Sequence, residues 1–518
     1  MLDAHAKYAN KGCVCHDGGM GMKKQLKAED REFLSRVRQA AFANPFSRDR
    51  DALDYALAGV ERTTPASECL KRVLALVSAR LARLGRDGVG RVDALGSDED
   101  RELYEALVLF DVFHCHADAL DGLIQAQLRS GDQPAPAPFA RSAIGMLADR
   151  GLPEEEAIRS FSMFYQMRRA YYFIGAGLVG CSDCMREFRR RLWDNLFTRD
   201  ILRYERCLWD RMEDFSTLLL GETGTGKGAA AMALGRSGYI PFDAKAGAFA
   251  ESFTRNFTAI NLMQFSENLI ESELFGHRKG AFTGAVDHHE GVFARCRPHG
   301  AIFLDEIGEV SIPVQIKLLQ VLQERTFSPV GSHERLRFRG RVIAATNRSL
   351  SDLRRGGRFR ADFYYRLCSD VITAPPLRQR LSEDEKEWPM LLENAVRRLA
   401  GREAPGLAAD AERALREQPG MNYGWPGNVR ELEQAVRRVL LTGAYEGQAA
   451  LEAPDPEESF LDAVRGGRMT ADALLAGYCL MLHRRHGTYE AVANAAGLDR
   501  RTARKYVVYG RDNAARVP

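Results

Sequence analysis

The sequence lacks any long hydrophobic run. Its longest apolar stretch, residues 171–181, is too short to span a bilayer, and residues 1–24 contain no continuous apolar segment of a secretory signal. These absences predict a cytoplasmic protein without a membrane partner. Cysteine is also sparse and scattered, with 10 residues among 518, which favours reduced thiols over a disulfide framework.

A strong charge imbalance is absent as well. The formal net charge is +3, so the overall charge does not itself indicate nucleic acid, although a local basic patch still could. Hydrophobic residues make up 45% and charged residues 28% of the chain, which is typical of soluble globular proteins. A length of 518 residues suggests three or four domains.

The residue patterns predict five segments. Residues 1–190 are mostly helical and are expected to be the regulatory or sensory region. Residues 191–375 alternate short apolar runs with helical patterns, which predicts an α/β fold with a parallel sheet and crossover helices. Residues 376–447 are expected to be a purely helical lid, and 448–469 an acidic, proline-containing linker. Residues 470–518 are expected to be a small helical domain.

Individual elements are also predicted. Apolar residues recur at helical spacing over residues 101–128, whereas residues 132–138 (DQPAPAP) are expected to be a loop. Three short apolar runs are candidates for buried strands, at 216–220, 301–304 and 341–345.

A glycine-rich turn joins the first of these strands to an alanine-rich helix. In this context glycines let backbone N–H groups surround a phosphate, and a lysine can reach the β- and γ-phosphates. The candidate nucleotide-binding residues are Gly221, Glu222, Thr223, Gly224, Thr225, Gly226, Lys227 and Gly228. Gly228 stands where the general phosphate-binding loop has a hydroxyl ligand for Mg²⁺. The alternative is a glycine-rich helix start that binds no nucleotide.

Polar residues follow the other two candidate strands. Asp305 and Glu306 end the strand at 301–304, where Asp305 can lie near Mg²⁺ and Glu306 near an attacking water. Asn347 follows the third strand and could sense the γ-phosphate or orient water, but asparagine is also common in turns. Arg360 and Arg366 suit phosphate contact from a neighbouring subunit, or are ordinary surface arginines.

Residues 280–285 read GAFTGA. The segment is rich in small residues and carries one aromatic side chain, Phe282, and one hydroxyl, Thr283. Its two glycines predict a mobile loop that could bind a partner. The spacing alone does not indicate which partner.

With these motifs in this order, the chain resembles the bacterial sigma-54-dependent transcriptional activators, which are AAA+ proteins. The resemblance covers residues 195–445 almost continuously and the C-terminal segment more loosely. The matching stretches are GETGTGK, LIESELFGHRKGAFTGA, FLDEIGEV, IKLLQVLQE, AATNR, FRADFYYRL and GWPGNVREL.

The resemblance implies an ATPase that uses ATP and Mg²⁺. Lys227 would bind phosphate, Asp305 would support Mg²⁺, and Glu306 would polarise the hydrolytic water. Asn261 matches the family residue that restrains this glutamate, and Asn347 matches the first sensor.

The resemblance further implies a homo-oligomer, a hexameric ring by family. Arg360 and Arg366 would act as arginine fingers across a subunit interface, and Arg430 would be the second sensor on the lid. The loop that engages sigma-54 RNA polymerase would consist of Gly280, Ala281, Phe282, Thr283, Gly284 and Ala285.

Three positions depart from the family pattern. Family members usually carry glutamate where Gly228 stands, so the chain lacks that carboxylate as well as the general hydroxyl. Residues 298–300 read Pro-His-Gly where a Gly-Gly turn is frequent, and Leu-Met-Gln-Phe follows Asn261 in place of small residues. These changes indicate a divergent member and not an inactive one.

Residues 489–506 have the pattern of a helix-turn-helix. Ala493 is small where two helices would cross, and Gly497 allows the turn. Val492, Leu498, Ala503 and Tyr506 could form the buried face. The second helix would then present a basic patch to upstream DNA, formed by Arg500, Arg501, Thr502, Arg504 and Lys505. The alternative is a plain basic surface helix.

The N-terminal region holds three short Cys/His groups, at residues 13–16, 114–116 and 181–184. They could bind Zn²⁺ or sense redox state, but the spacing is irregular and ordinary cysteines are the simpler interpretation. A receiver domain is not indicated. The signal could be a partner protein or a small ligand.

We therefore expect an ATP-dependent transcriptional activator that binds upstream DNA and converts closed complexes of sigma-54 RNA polymerase into open ones. One alternative is a DNA-binding regulator that binds nucleotide without hydrolysing it, which Gly228 suggests. Another is an AAA+ chaperone or helicase loader that acts on a different substrate.

Overall fold

The computed structural model describes residues 23–355, 359–420, 423–445, 460–461, 464 and 469–512. Most of the predicted linker at 448–469, including its acidic stretch at 452–458, lies outside the described residues. The chain contacts divide into two compact units. The first comprises the residues up to 403 together with 424–433, and the second comprises 404–423 together with the residues from 434 onward.

The N-terminal region is helical, as the sequence predicts. Its helices are α1 (Ala28–Phe42), α2 (Arg48–Ala58), α3 (Ala66–Arg86), α4 (Asp98–Cys115), α5 (Ala117–Ser130), α6 (Ala140–Asp149), α7 (Glu154–Gly177), α8 (Asp183–Phe197) and α9 (Ile201–Cys207). The continuous helical pattern over 101–128 is in fact two helices, because the chain leaves helical geometry at His116. The loop expected at 132–138 lies between α5 and α6.

An α/β layer follows the N-terminal helices. Its strands are β1 (Thr217–Leu220), β2 (Phe242–Asp243), β3 (Ala248–Phe249), β4 (Phe257–Asn261), β5 (Ala301–Asp305), β6 (Thr326–Phe327), β7 (Leu336–Arg337), β8 (Arg341–Thr346) and β9 (Asp370–Thr373). Its helices are α10 (Lys227–Gly235), α11 (Glu267–Phe275), α12 (Val292–Arg295), α13 (Ile312–Glu324), α14 (Leu350–Arg355) and α15 (Ala361–Leu367).

Five of these strands form one parallel sheet in the order β4-β5-β8-β1-β9. Every residue of β1 and β8 is buried, which explains why both strands read as short apolar runs. Because the strands are parallel, their carboxyl ends meet at one edge of the sheet. The three predicted strands are confirmed, and that edge collects the polar residues that follow them.

The lid segment is helical in its described part. It contains α16 (Leu377–Glu383), α17 (Glu387–Ala400), α18 (Pro405–Glu417) and α19 (Asn428–Thr442). The predicted α/β core, with a parallel sheet, crossover helices and further helices after the sheet, is confirmed. Among the described residues, no helix is both long and apolar enough to cross a membrane.

The N-terminal helices and the sheet share one hydrophobic core within the first unit. This core runs from Leu34 of α1 to Leu219 of β1 and Ile343 of β8. Arg169 of α7, which is fully buried, donates to the carbonyl oxygens of Arg236 and Gly238, each at 2.7 Å. These carbonyls follow the last turn of α10, so the N-terminal region holds the helix that begins at the glycine-rich loop.

The second unit ends in three helices, α20 (Ala471–His486), α21 (Tyr489–Ala496) and α22 (Arg500–Asp512). Gly497 has a φ of 65° and ends α21 in the left-handed conformation, where the sequence predicts a turn. Val492 and Ala503 are fully buried, and Leu498 and Tyr506 pack against them. This agrees with the buried face expected from the sequence.

Candidate functional site

The predicted phosphate-binding loop, residues 221–228, connects β1 to α10 and includes the first two residues of that helix. Gly221, Gly224 and Gly226 have φ angles of 149°, 81° and 99°, which side-chain-bearing residues rarely adopt. A Cβ atom on Gly224 would lie 2.1 Å from the carbonyl oxygen of Gly427, so only glycine fits there. The ammonium group of Lys227 donates to two carbonyl oxygens of the loop, including that of Gly221 at 2.7 Å. The loop is therefore already curled around its lysine.

Two carboxylates lie at the end of β5, as the sequence predicts. Asp305 is the last residue of the strand, and Glu306 has a left-handed backbone with φ 57° and ψ 44°. Such a conformation is strained for a residue other than glycine and is typical of functional sites. The side chain of Asp305 supports it by accepting the N–H of Glu306 at 3.1 Å.

The charges of this site act on one another. Burial raises the pKa of Glu306, the negative charge of Asp305 raises it further, and the ammonium of Lys227 lowers it. Burial lowers the pKa of Lys227, and the two carboxylates counteract this effect. A carboxylate with a raised pKa is a stronger base, which suits a group that orients and polarises water.

Asn261 and Asn347 also lie at this edge of the sheet. Asn261 ends β4 and pairs in register with Asp305 on the neighbouring strand. Its side-chain oxygen accepts the N–H of Met263 at 2.9 Å, and within the described residues no hydrogen bond joins it to Glu306. Asn347 donates to the hydroxyl of Thr223 in the phosphate-binding loop at 3.5 Å.

The start of α19 is tied to the phosphate-binding loop by Asn428. The amide of this residue donates to the carbonyl oxygen of Thr223 at 3.0 Å and accepts the N–H of Leu377 at 2.7 Å. Arg378 forms a bidentate ion pair with Glu222 at 2.6 and 2.8 Å. The side chain of Glu222 therefore contacts the helices that follow the sheet and is not free to reach a nucleotide.

A cavity of about 320 Å³ lies beside the loop. Lys227, Asp305 and Glu306 line one side of it, together with Asn261. Arg430 of α19 lines it as well, which brings the predicted second sensor to the site.

Other parts of the cavity wall were not foreseen. Residues 177–179 and Met185 line it, and these precede the expected domain boundary at 190, which falls inside α8. Arg398 and Glu433 form an ion pair at 2.7 Å and also belong to the lining. Residues 177–179 and Met185 are apolar or small, so nothing in their local pattern distinguishes a cavity wall from core.

The two arginine-finger candidates are absent from this cavity. Arg360 forms a bidentate ion pair with Asp362 at 2.7 and 3.0 Å. Arg366 donates to the carbonyl oxygen of Leu322 at 2.9 Å, and its own carbonyl accepts the hydroxyl of Ser216, which precedes β1. Arg366 thus lies at the amino end of the strand whose carboxyl end carries the phosphate-binding loop.

The GAFTGA segment forms an exposed loop between α11 and α12. Gly280 donates its N–H to the carbonyl oxygen of Ala285 at 2.8 Å, which closes the loop at its base. Phe282 and Thr283 are exposed at its tip, and the Phe282 ring lies edge-on against His277 with centroids 4.9 Å apart. An exposed aromatic ring on a closed loop is available to a protein partner.

The basic residues of α22 are exposed, as expected. Arg500, Arg501, Arg504 and Lys505 all face solvent. Thr502 is less exposed, and its hydroxyl donates to Asp499, the residue before the helix.

The Cys/His groups do not form a metal site in the part of the chain that the structure describes, since no group of three or more His, Cys, Asp or Glu residues there could hold a metal ion. The group at 13–16 lies outside the described residues. Burial, the largest cause, raises the pKa of Cys181 and of Cys184 to about 11, so both thiols are protonated at neutral pH. Such thiols are poor redox sensors.

The sequence is similar to a known protein family and to several characterised proteins. Residues 205–373 match the family described as "Sigma-54 interaction domain". The transcriptional regulatory protein ZraR of Klebsiella oxytoca is 38% identical over 301 residues, which are 56% of this chain and 62% of that protein. The Nif-specific regulatory protein of Azotobacter vinelandii is 39% identical over 274 residues, 50% of this chain and 49% of that protein.

A third relative is the hydrogenase transcriptional regulatory protein HoxA of Cupriavidus necator, 42% identical over 241 residues and 46% of each chain. The chain thus spans about half to three-fifths of the length of these relatives. A crystal structure of NtrX from Brucella abortus in complex with ATP aligns over 72% of this chain and 80% of its own, with 19% identity and a TM-score of 0.39.

The family match and the curated relatives confirm the resemblance to sigma-54-dependent activators that the motifs predict. The matched residues include the phosphate-binding loop, Asp305, Glu306 and the GAFTGA segment.

Proposed function

We propose that the chain is an ATP-dependent transcriptional activator that binds upstream DNA and remodels sigma-54 RNA polymerase from closed to open complexes. The observation that carries this proposal is the exposed loop at 280–285 within a segment that matches the sigma-54 interaction domain. The same loop argues against a chaperone or helicase loader.

The residues of the cavity fit a nucleoside triphosphate. The volume is about 320 Å³, the loop offers backbone N–H groups, and Lys227 and Arg430 supply positive charge. Asp305 is the residue that would hold Mg²⁺, which when bound offsets the charge of the β- and γ-phosphates. Glu306 would orient the attacking water and polarise it through its carboxylate.

A ring of identical subunits would complete the site. Arg360 and Arg366 lie outside the cavity of their own chain, and Arg366 lies at the opposite end of β1. An arginine at such a position can stabilise transition-state charge in a neighbouring subunit. We infer that hydrolysis needs assembly, with a hexamer as the expected state.

The C-terminal helices would bind DNA. The short turn between α21 and α22 and the exposed basic residues of α22 support a helix-turn-helix whose second helix enters the major groove. Deleting residues 470–518 should abolish binding to the upstream site and leave ATP hydrolysis largely intact. Equal affinity of the truncated and full chains for that DNA would remove this role from the helices.

Transcription in vitro with sigma-54 RNA polymerase, with and without ATP, tests the whole proposal. Open complexes that form only with hydrolysable ATP support it. Activation with a non-hydrolysable analogue would favour a regulator that binds nucleotide without hydrolysis. ATP hydrolysis without any open complex would favour another remodelling substrate.

A further inference from the structure

An ion pair joins the two chain segments that meet beside Glu306. Arg348, two residues after β8, donates from Nε and Nη2 to the two carboxylate oxygens of Glu309, each at 2.6 Å. Glu309 lies three residues after Glu306, at the end of the short 3₁₀ turn that follows β5. Neither residue of this pair lines the nucleotide cavity. The pair is therefore placed to act on the site without touching a nucleotide in it.

The backbone of Glu306 needs support from its surroundings. Its left-handed conformation costs free energy and persists only where neighbouring contacts impose it. Within the turn, the N–H of Glu309 donates to the carbonyl oxygen of Glu306 at 3.1 Å. The turn also packs directly on the end of β8, since a Cβ atom on Gly308 would lie 2.7 Å from the hydroxyl oxygen of Thr346. The position of Glu306 thus depends on how this turn is held against β8.

The segment after β8 contacts Glu306 in return. Burial raises the pKa of Glu306, and a hydrogen bond from the backbone N–H of Asn347 counteracts this effect. The side chain of Asn347 donates to Thr223 of the glycine-rich loop. Arg348 is the next residue, so its ion pair with Glu309 fixes the turn to the segment whose backbone contacts the carboxylate.

The geometry of this pair matters more than its strength. Partly exposed ion pairs add little to stability, and both side chains here are 31% exposed. A bidentate arginine–carboxylate pair nevertheless defines both distance and orientation, because two parallel bonds must form together. We propose that Arg348 and Glu309 are a positioning pair that holds the Glu306 carboxylate where it can orient the attacking water. The effect on turnover rests on the hydrolysis proposed above, whereas the effect on the position of the turn does not.

Steady-state ATPase assays test the positioning. Arg348→Gln and Glu309→Gln should each lower kcat by roughly ten- to a hundredfold, because small displacements of a reacting group slow the chemical step strongly. The KM for ATP should stay within about threefold of the wild-type value, since neither side chain lines the cavity. The double variant should lose no more than either single variant, because each change breaks the same pair.

Two further variants separate pairing from the loss of a charge. The exchanged pair, Arg348→Glu with Glu309→Arg, should recover much of the wild-type kcat. Arg348→Lys keeps the charge but not the planar fork, and its kcat should lie between those of the wild type and Arg348→Gln. An exchanged pair as slow as the single variants, or a raised KM with unchanged kcat, would overturn the positioning role.

Arg190→Gln is the matched control. Arg190 forms a bidentate ion pair with Glu187 at 2.6 and 2.7 Å, its side chain is 35% exposed, and it lies outside the nucleotide cavity. Its substitution should leave kcat unchanged. An equal fall in kcat for Arg190→Gln and Arg348→Gln would reveal a general effect of lost ion pairs and refute the proposed role.

Hydrogen–deuterium exchange of the full chain without nucleotide tests the position of the turn independently of catalysis. Arg348→Gln should speed exchange in peptides that cover residues 306–310 and leave exchange in α10 unchanged. Unchanged exchange at 306–310 would contradict the support that the pair gives to this turn. A wild-type chain that hydrolyses no ATP, with faster exchange at 306–310 in the variant, would contradict the proposed ATPase function and leave this support standing.

Discussion

Replacing Arg169 with methionine should weaken the contact between α10 and the N-terminal helices. The guanidinium is fully buried, donates to the carbonyl oxygens of Arg236 and Gly238, and lies 4.6 Å from the ring centroid of Tyr165. Methionine keeps the apolar stem and removes every donor. Two carbonyl oxygens that follow α10 then lose their partners.

The expected loss in the free energy of unfolding follows from these contacts. Each carbonyl left without a partner costs roughly 1–3 kcal/mol, so the two together cost about 2–6 kcal/mol. Burial of the charged guanidinium, which lowers the pKa of Arg169 to about 10, itself costs free energy. The substitution removes this cost and so offsets part of the loss. We expect a net loss of about 3 kcal/mol. For a unit of about 400 residues, that corresponds to a fall in Tm of roughly 4 °C.

Thermal unfolding followed by calorimetry measures this change, with Arg159→Met as the control on the same helix. Arg159 pairs with Glu156 at 3.4 Å, and both side chains are more than a third exposed, so its loss should cost under about 1 kcal/mol. The ATPase rate should fall with Arg169→Met and not with the control. Equal Tm values for the two variants would refute the role given to Arg169.

Three further predictions concern the nucleotide site. Glu306→Gln should retain ATP binding and lose turnover by orders of magnitude, and unchanged phosphate release would exclude the assigned role. Arg366→Ala and Lys227→Ala chains should each be inactive alone and regain some ATPase activity when mixed, and the wild-type rate per chain should rise with concentration; a concentration-independent rate from a monomer would refute action across subunits. A Cβ on Gly228 meets no atom within 4 Å, so Gly228→Ser should fold and lower the Mg²⁺ concentration needed for hydrolysis, whereas Gly228→Ala should not; equal Mg²⁺ curves for the two variants would exclude a hydroxyl ligand there.

Features that depend on neighbouring residues in the chain could be predicted from the sequence. A phosphate-binding loop needs glycines, a lysine and a strand within about a dozen residues, and the polar residues at the ends of β5 and β8 directly follow apolar runs. Parallel pairing then brings Asn261 and Asp305 into register. The fold class followed from the same patterns.

Features that depend on distant contacts could not be predicted in this way. Asn428 belongs to a stretch quoted for the resemblance, but its bond to Thr223 joins residues about 200 positions apart. The bonds of Arg169 to the residues after α10 require knowledge of how α7 packs. The sequence also did not predict the end of one helix and the start of the next at His116, because both α4 and α5 bury apolar residues at helical spacing.

The most direct test of the central claim is open-complex formation by a Thr283→Ala chain with sigma-54 RNA polymerase, beside the wild type. Thr283 is exposed at the loop tip, outside the residues that line the nucleotide cavity. We predict that this variant binds nucleotide and hydrolyses ATP within a small factor of the wild type, but neither binds sigma-54 in the presence of a transition-state analogue nor forms open complexes. Normal activation by both Thr283→Ala and Phe282→Ala would contradict the claim that this loop acts on sigma-54.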